Sequence, residues 1–170
     1  MLYAVVHYPN TDTREINQLR KKYDPQFHLI EPHLTLVFPF PAFLSDTTLI
    51  DHVESVIKDL RPFPIHLQGL HRSLDDYLFL LVNEGSANLS SLRAALYTGL
   101  LQPHRRADLE YVPHLTLGSF PGAPNICEQA LEDADRLELN LRSQFDRIHI
   151  VKLDDEKTRI VWSKECFLGG

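Results

Sequence analysis

The run Pro32-His33-Leu34-Thr35-Leu36 is spelled again, residue for residue, at Pro113-His114-Leu115-Thr116-Leu117. In an extended strand, alternate side chains project to opposite faces. Leu34 and Leu36 therefore share one face, and His33 and Thr35 share the other. The same division holds for Leu115 and Leu117 against His114 and Thr116. The leucines anchor each strand in a core, and each His-Thr pair is aimed away from it. Composition yields about 0.4 His-x-Thr triplets by chance, so one alone would mean little. A given PHLTL run is expected on the order of a thousandth of a time by the same count. Its presence twice is the feature from which fold and function are read.

Around these runs the chain alternates strand and helix patterns. Residues 2–8 read as a first strand. "TDTREINQLRKKYDP" reads as a helix, with Asp12 or Thr13 as N-cap and Pro25 as its stop. The first signature strand closes at Pro39 and Pro41. Leu49, Val53, Val56, Ile57 and Leu60 then form an apolar helical stripe after Ser45 or Asp46. "FPIHLQGL" alternates as a strand, and "YLFLLVN" reads as a buried one. A helix capped by Ser86 runs through Leu89, Leu92, Leu96 and Leu100, and a polar loop leads into the second signature. A shorter helix follows, with Ile126, Ala130, Leu131 and Ala134 inward. "FDRIHIVKL" and "RIVWSKECFL" form a closing hairpin across "DDEKT". Each half holds a signature strand followed by a helix. The predicted fold is α+β: one domain over 1–170, bilobal, with two pseudo-symmetric antiparallel sheets flanking a central cleft and helices on the outer faces.

The composition is that of a soluble domain, with 44 % hydrophobic and 24 % charged residues. No apolar run approaches the roughly 20 residues that span a bilayer. The start, MLYAVVHYPN, lacks the pattern of a secretory signal. Cys127 and Cys166 form no CxxC pair and read as thiols of a reducing compartment, so a cytoplasmic location is expected. A net charge of −6 argues against binding long nucleic acid, but not against a small phosphorylated ligand. Gly-rich phosphate loops are absent from the sequence. Neither signature has a carboxylate or cysteine with metal-ligand spacing, so no metal and no cofactor are expected.

Two histidines and two hydroxyls in one cleft suit a definite chemistry. Cleaving a phosphodiester requires one proton taken from the attacking oxygen and one given to the leaving oxygen. Histidine can do either near neutral pH. Threonine hydroxyls can donate to the non-bridging oxygens, where charge gathers in the transition state.

"PHLTLVFPF" and "PHLTLGSF" together resemble the paired His-x-Thr signatures of the 2H phosphoesterase superfamily, most closely the branch of 2′-5′ RNA ligase-like proteins and RNA 2′,3′-cyclic phosphodiesterases. The resemblance covers nearly the whole chain. It implies a bilobal α+β fold, metal-independent chemistry, His33 and His114 as catalytic residues, and Thr35 and Thr116 as phosphate-binding residues. It also implies a small nucleotide or a short RNA end as partner. Acid and base roles are interchangeable between the histidines, with His33 as acid and His114 as base the order preferred. The "FPF" tail of the first signature is typical of this branch. The second lacks the arginine that often follows in bacterial members; Gly118-Ser119 stand there. Further candidates for substrate contact are Phe38, Arg105, Arg106 and Lys152. The function expected is hydrolysis of 2′,3′-cyclic phosphate ends. The alternatives are a 2′-5′ oligonucleotide phosphodiesterase, an RNA ligase, or a nucleotide-binding module without catalysis.

Overall fold

A computed structural model describes residues 1–108 and 110–169. In chain order the elements are β1 (Leu2–His7), α1 (Arg14–Tyr23), β2 (Leu34–Pro41), α2 (Asp46–Ile57), β3 (Phe63–Arg72), β4 (Tyr77–Val82) and α3 (Ser86–Leu96). A 3-10 turn (Gly99–His104), β5 (His114–Ser119), α4 (Pro124–Asp135), β6 (Asn140–Phe145), β7 (Arg147–Leu153) and β8 (Ile160–Phe167) complete the chain. The strands form one curled antiparallel sheet in the order β6-β3-β4-β5-β2-β1-β7-β8. The α+β class with helices packed on antiparallel strands is therefore present. The two sheets expected from the sequence are joined into one, through the pairing of the signature strands β2 and β5 at Leu34 and Leu115.

The succession strand, helix, signature strand, helix occurs twice, as β1-α1-β2-α2 and β4-α3-β5-α4. In both, the helix leading to the signature crosses the seam: α1 packs on β5 and α4, while α3 packs on β2 and α2. The leucines Leu34, Leu36, Leu115 and Leu117 sit with the inward stripes of the helices in a single core. The helices thus cover one face of the sheet, and the His-Thr face is left to the other.

Local chemistry explains the element ends. Ser45 caps α2, its Oγ accepting from the Thr48 N–H at 3.1 Å. Gly85, not Ser86, takes the N-cap of α3 with φ +85°. A Cβ there would lie 2.8 Å from the Pro64 carbonyl oxygen. That helix stops at Leu96, short of the expected Leu100, and the chain tightens into the 3-10 turn. In α4 the inward stripe is Cys127, Ala130 and Ala134, and Ile126 is 50 % exposed, so the helix is rotated from the expected face. β6, "NLRSQF", was not expected. It is a polar edge strand with one neighbour, β3, and only Phe145 fully inside.

Each signature strand carries an irregularity directly after its threonine. Val5 pairs Val37 while Val6 pairs Thr35, and Leu78 pairs Gly118 while Phe79 pairs Thr116. One extra residue, Leu36 or Leu117, is accommodated at each point, as in a β-bulge. The bulge keeps Val37 and Gly118 buried on the helix side although strict alternation would turn them out.

Candidate active site

The seam register brings the four signature polar residues together. Continuing the antiparallel register one residue either side of the Leu34–Leu115 pair sets Thr35 opposite His114 and His33 opposite Thr116. Opposed residues point to the same face, so both imidazoles and both hydroxyls share the face turned away from the helices. All four are half-buried.

The two histidines are held alike. His33 Nδ1–H donates to the Glu31 carbonyl at 2.8 Å, and His114 Nδ1–H donates to the Val112 carbonyl at 2.6 Å. A carbonyl only accepts, so each neutral ring carries its proton on Nδ1 and offers the Nε2 lone pair outward. In each case the accepting residue precedes a proline, Pro32 or Pro113, which restricts the backbone that presents the carbonyl.

Their surroundings differ. Burial pushes His33 down to about 4. The Glu31 hydrogen bond and the Asp24 carboxylate oppose this shift, and the nearby Arg20 and His114 add to it. His114 is also lowered by burial, with a smaller contribution from His71. Phe79 stacks on His114 with ring centroids 3.6 Å apart. Tyr8 lies edge-on beside His33 at 6.4 Å and beside His149 at 4.8 Å. Burial lifts the Tyr8 phenol to about 12, so it stays protonated. His149 Nε2 lies 3.3 Å from Glu165. Tyr111 donates its hydroxyl to the Thr35 carbonyl at 3.1 Å, close to where β2 and β5 part.

The remaining candidates are not brought to this face. Lys152 pairs in register with Tyr3, a core residue on the helix side, and binds Asp46 of α2 at 2.7 Å. Its strand position has the opposite parity from His149, so it does not reach the histidines. Arg106 is engaged by Asp108 at 2.7 Å, and Arg105 and Arg106 stand exposed in the loop after the 3-10 turn. Among the described residues no contact links either arginine to the His-Thr set. Phe38 is half-buried against Arg93, and its N–H donates to the Tyr97 hydroxyl at 3.0 Å. It packs between β2 and α3. Phe40 and Phe120 are core residues.

Phe79 and the Arg20–Asp24 pair were not picked out from the sequence as parts of the site. For Phe79 the signal was available. β4 was read as wholly buried, yet Leu78, Leu80 and Val82 alternate with Tyr77, Phe79 and Leu81, and only the first set is fully inside. Among the described residues no group of three or more His, Cys, Asp or Glu is arranged to hold a metal ion, and no helix is long and apolar enough to cross a membrane.

Comparison with known proteins places this arrangement. A protein of Bacillus cereus strain B4264 that carries a provisional phosphoesterase name is 28 % identical over 164 residues, covering 89 % of this chain and 88 % of its own. A similarly named protein of Halalkalibacterium halodurans is 31 % identical over 122 residues, covering 69 % and 70 %. Usb1 of Kluyveromyces marxianus, solved with uridine monophosphate, shares the fold with a TM-score of 0.56 at 13 % identity, over 98 % of both chains. The sequence profile of the 2′-5′ RNA ligase superfamily matches residues 8–157. The chain therefore belongs to the 2′-5′ RNA ligase superfamily of 2H phosphoesterases.

Proposed function

We propose that this protein is a phosphodiesterase that opens 2′,3′-cyclic phosphate ends of RNA or nucleotides by two-histidine acid-base catalysis, without need of a metal. The observation that carries the reading is the pairing of His33 and His114 on one face, each with Nδ1 tied to a carbonyl and Nε2 free. Its phosphoesterase-named relatives and the nucleotide in the Usb1 structure support a small nucleotide or RNA end as the ligand.

The environments favour His33 as the base and His114 as the acid, the reverse of the order preferred from sequence. Burial keeps His33 neutral; the Arg20 guanidinium adds to this and the Asp24 carboxylate opposes it. The ring face of Phe79 against His114 carries partial negative charge and favours an imidazolium. Bound phosphate raises both pKa values, because an anion stabilises the protonated ring. His114, without a guanidinium among the groups that lower it, then protonates first. In the reaction, His33 Nε2 takes a proton from water as the water oxygen bonds to phosphorus. The bond from phosphorus to the 3′ oxygen breaks, and His114 Nε2–H protonates that oxygen, leaving a 2′-phosphate. Thr35 and Thr116 hydroxyls donate to the non-bridging oxygens as charge builds on them.

A second reading is favoured by the family to which the chain belongs. The same set can take the proton from the 5′ hydroxyl of another RNA end in place of water, which joins the ends through a 2′-5′ linkage. The test is incubation with each 2′,3′-cyclic nucleotide in a chelator, with the 2′- and 3′-phosphates resolved. Turnover to a 2′-phosphate is expected. Tight binding with no turnover overturns the proposal and favours a binding module.

A further inference from the structure

We propose that the buried Arg20–Asp24 pair at the C-terminal end of α1 is a positioning unit that holds the segment before His33 in the shape that orients its imidazole. The proposal rests on the reading of His33 as a reacting group, but its direct test does not need turnover.

Arg20 is 1 % exposed and Asp24 is 9 % exposed. Arg20 Nε donates to Asp24 at 2.8 Å, and Nη2 donates to the Ile30 carbonyl at 2.7 Å. The other Asp24 oxygen accepts from the Gln26 N–H at 2.9 Å. The Phe27 ring lies over the guanidinium at 6.0 Å. The chain from Asp24 to Ile30 is therefore wrapped around one planar cation and fixed to it at both ends. Ile30 shares a peptide bond with Glu31, whose carbonyl accepts from His33 Nδ1–H. Arg20 thus reaches His33 through two hydrogen bonds and the main chain of Ile30 and Glu31 between them.

Two features argue against a merely structural pair. Replacing a buried ion pair by apolar residues is often neutral or stabilising, so stability alone does not account for this pair. Moreover, Arg20 Nη1 is buried with no hydrogen-bond partner among the described residues, an arrangement that costs stability. The pair also faces His33, on which Arg20 and Asp24 act in opposite senses; His114 from β5 and Tyr8, just beyond β1, face the same ring. His114 has no such pair. The segment before it is fixed by the bond from Tyr111 to the Thr35 carbonyl.

The experiment records the ¹⁵N resonances of the His33 ring in the full chain, which separate the Nδ1–H from the Nε2–H tautomer, alongside kcat and KM. The variants are the double replacement Arg20→Met with Asp24→Leu, and the single Arg20→Lys, which keeps the charge but not the planar fork. Wild type is expected to hold His33 almost wholly as Nδ1–H. In folded variants His33 should populate both tautomers while His114 is unchanged, and kcat should fall about 100-fold with little change in KM, the scale of a small misplacement. If the double variant does not fold, Arg20→Lys decides the matter by the same resonances. A folded variant with the wild-type His33 tautomer overturns the proposal. Absence of turnover in wild type with the tautomer shift intact would sink the proposed activity and leave the positioning unit standing.

Discussion

At the scale of single residues, the proposed mechanism needs one nitrogen of each imidazole committed and the other free, as His33 and His114 are held. His33 sits at about 4 and His114 below its ordinary 6.5, both chiefly through burial. The kcat/KM profile reports the free enzyme, so it should be bell-shaped with its maximum between about 4 and 6.5. The kcat profile should lie at higher pH, since bound phosphate raises both groups; a maximum of kcat/KM above pH 7 would contradict these environments. Phe79→Leu removes the aromatic face that favours the His114 imidazolium, so its pKa should fall and the alkaline limb of kcat/KM should move down. Thr35→Val and Thr116→Val each remove a proposed donor to the phosphoryl oxygens and should lower kcat about 100-fold, while serine at either position should retain most of the rate. Steady-state kinetics with a cyclic nucleotide checks each.

At the scale of elements, the central contact is the seam between β2 and β5, where Leu34 and Leu115 are almost fully buried. Leu115→Ala should destabilise by about 2–5 kcal/mol, the usual range for a buried leucine, read as a lowered denaturant midpoint at unchanged slope. Gly118 has a role in the same place. A Cβ added there would meet Phe120 Cζ at 2.6 Å and Tyr23 Cβ at 2.9 Å, because α1 crosses β5 at this point. Gly118→Ala should cost about 1–3 kcal/mol through overpacking. The helices and the closing hairpin were legible because their apolar stripes and turn residues are local signals. β6 was not, because an edge strand with polar alternate residues has no apolar pattern of its own. The outward turn of Phe79 was hidden inside an apolar run, and Phe38 could not be assigned a face because the bulge after Thr35 breaks the alternation.

At the scale of the whole molecule, one sheet replaces the two that the repeated runs suggested, since nothing in either run reveals that the signature strands pair with each other. The repeat did disclose which side chains share a face; it could not disclose Arg20, whose link to His33 passes through a loop folded around it. Stability should carry the signature of the depressed histidines. His7 is fully buried and, like His33, titrates at about 4 in the fold against 6.5 unfolded. Between those values the unfolded chain binds more protons. The contribution is therefore complete above pH 6.5, is lost as pH falls toward 4, and changes no further below it. The slope is at most about 1.4 kcal/mol per pH unit for His7 and less for the half-exposed His33. His7→Gln should flatten it, as followed by denaturant midpoints across this range. The most direct test of the account is turnover of a 2′,3′-cyclic nucleotide in a chelator by wild type, His33→Ala and His114→Ala. Wild type should form the 2′-phosphate, and each variant should lose about 100- to 10,000-fold in kcat, the range for a general acid or base. A wild-type rate that vanishes with the chelator, or one that survives loss of both histidines, would contradict it.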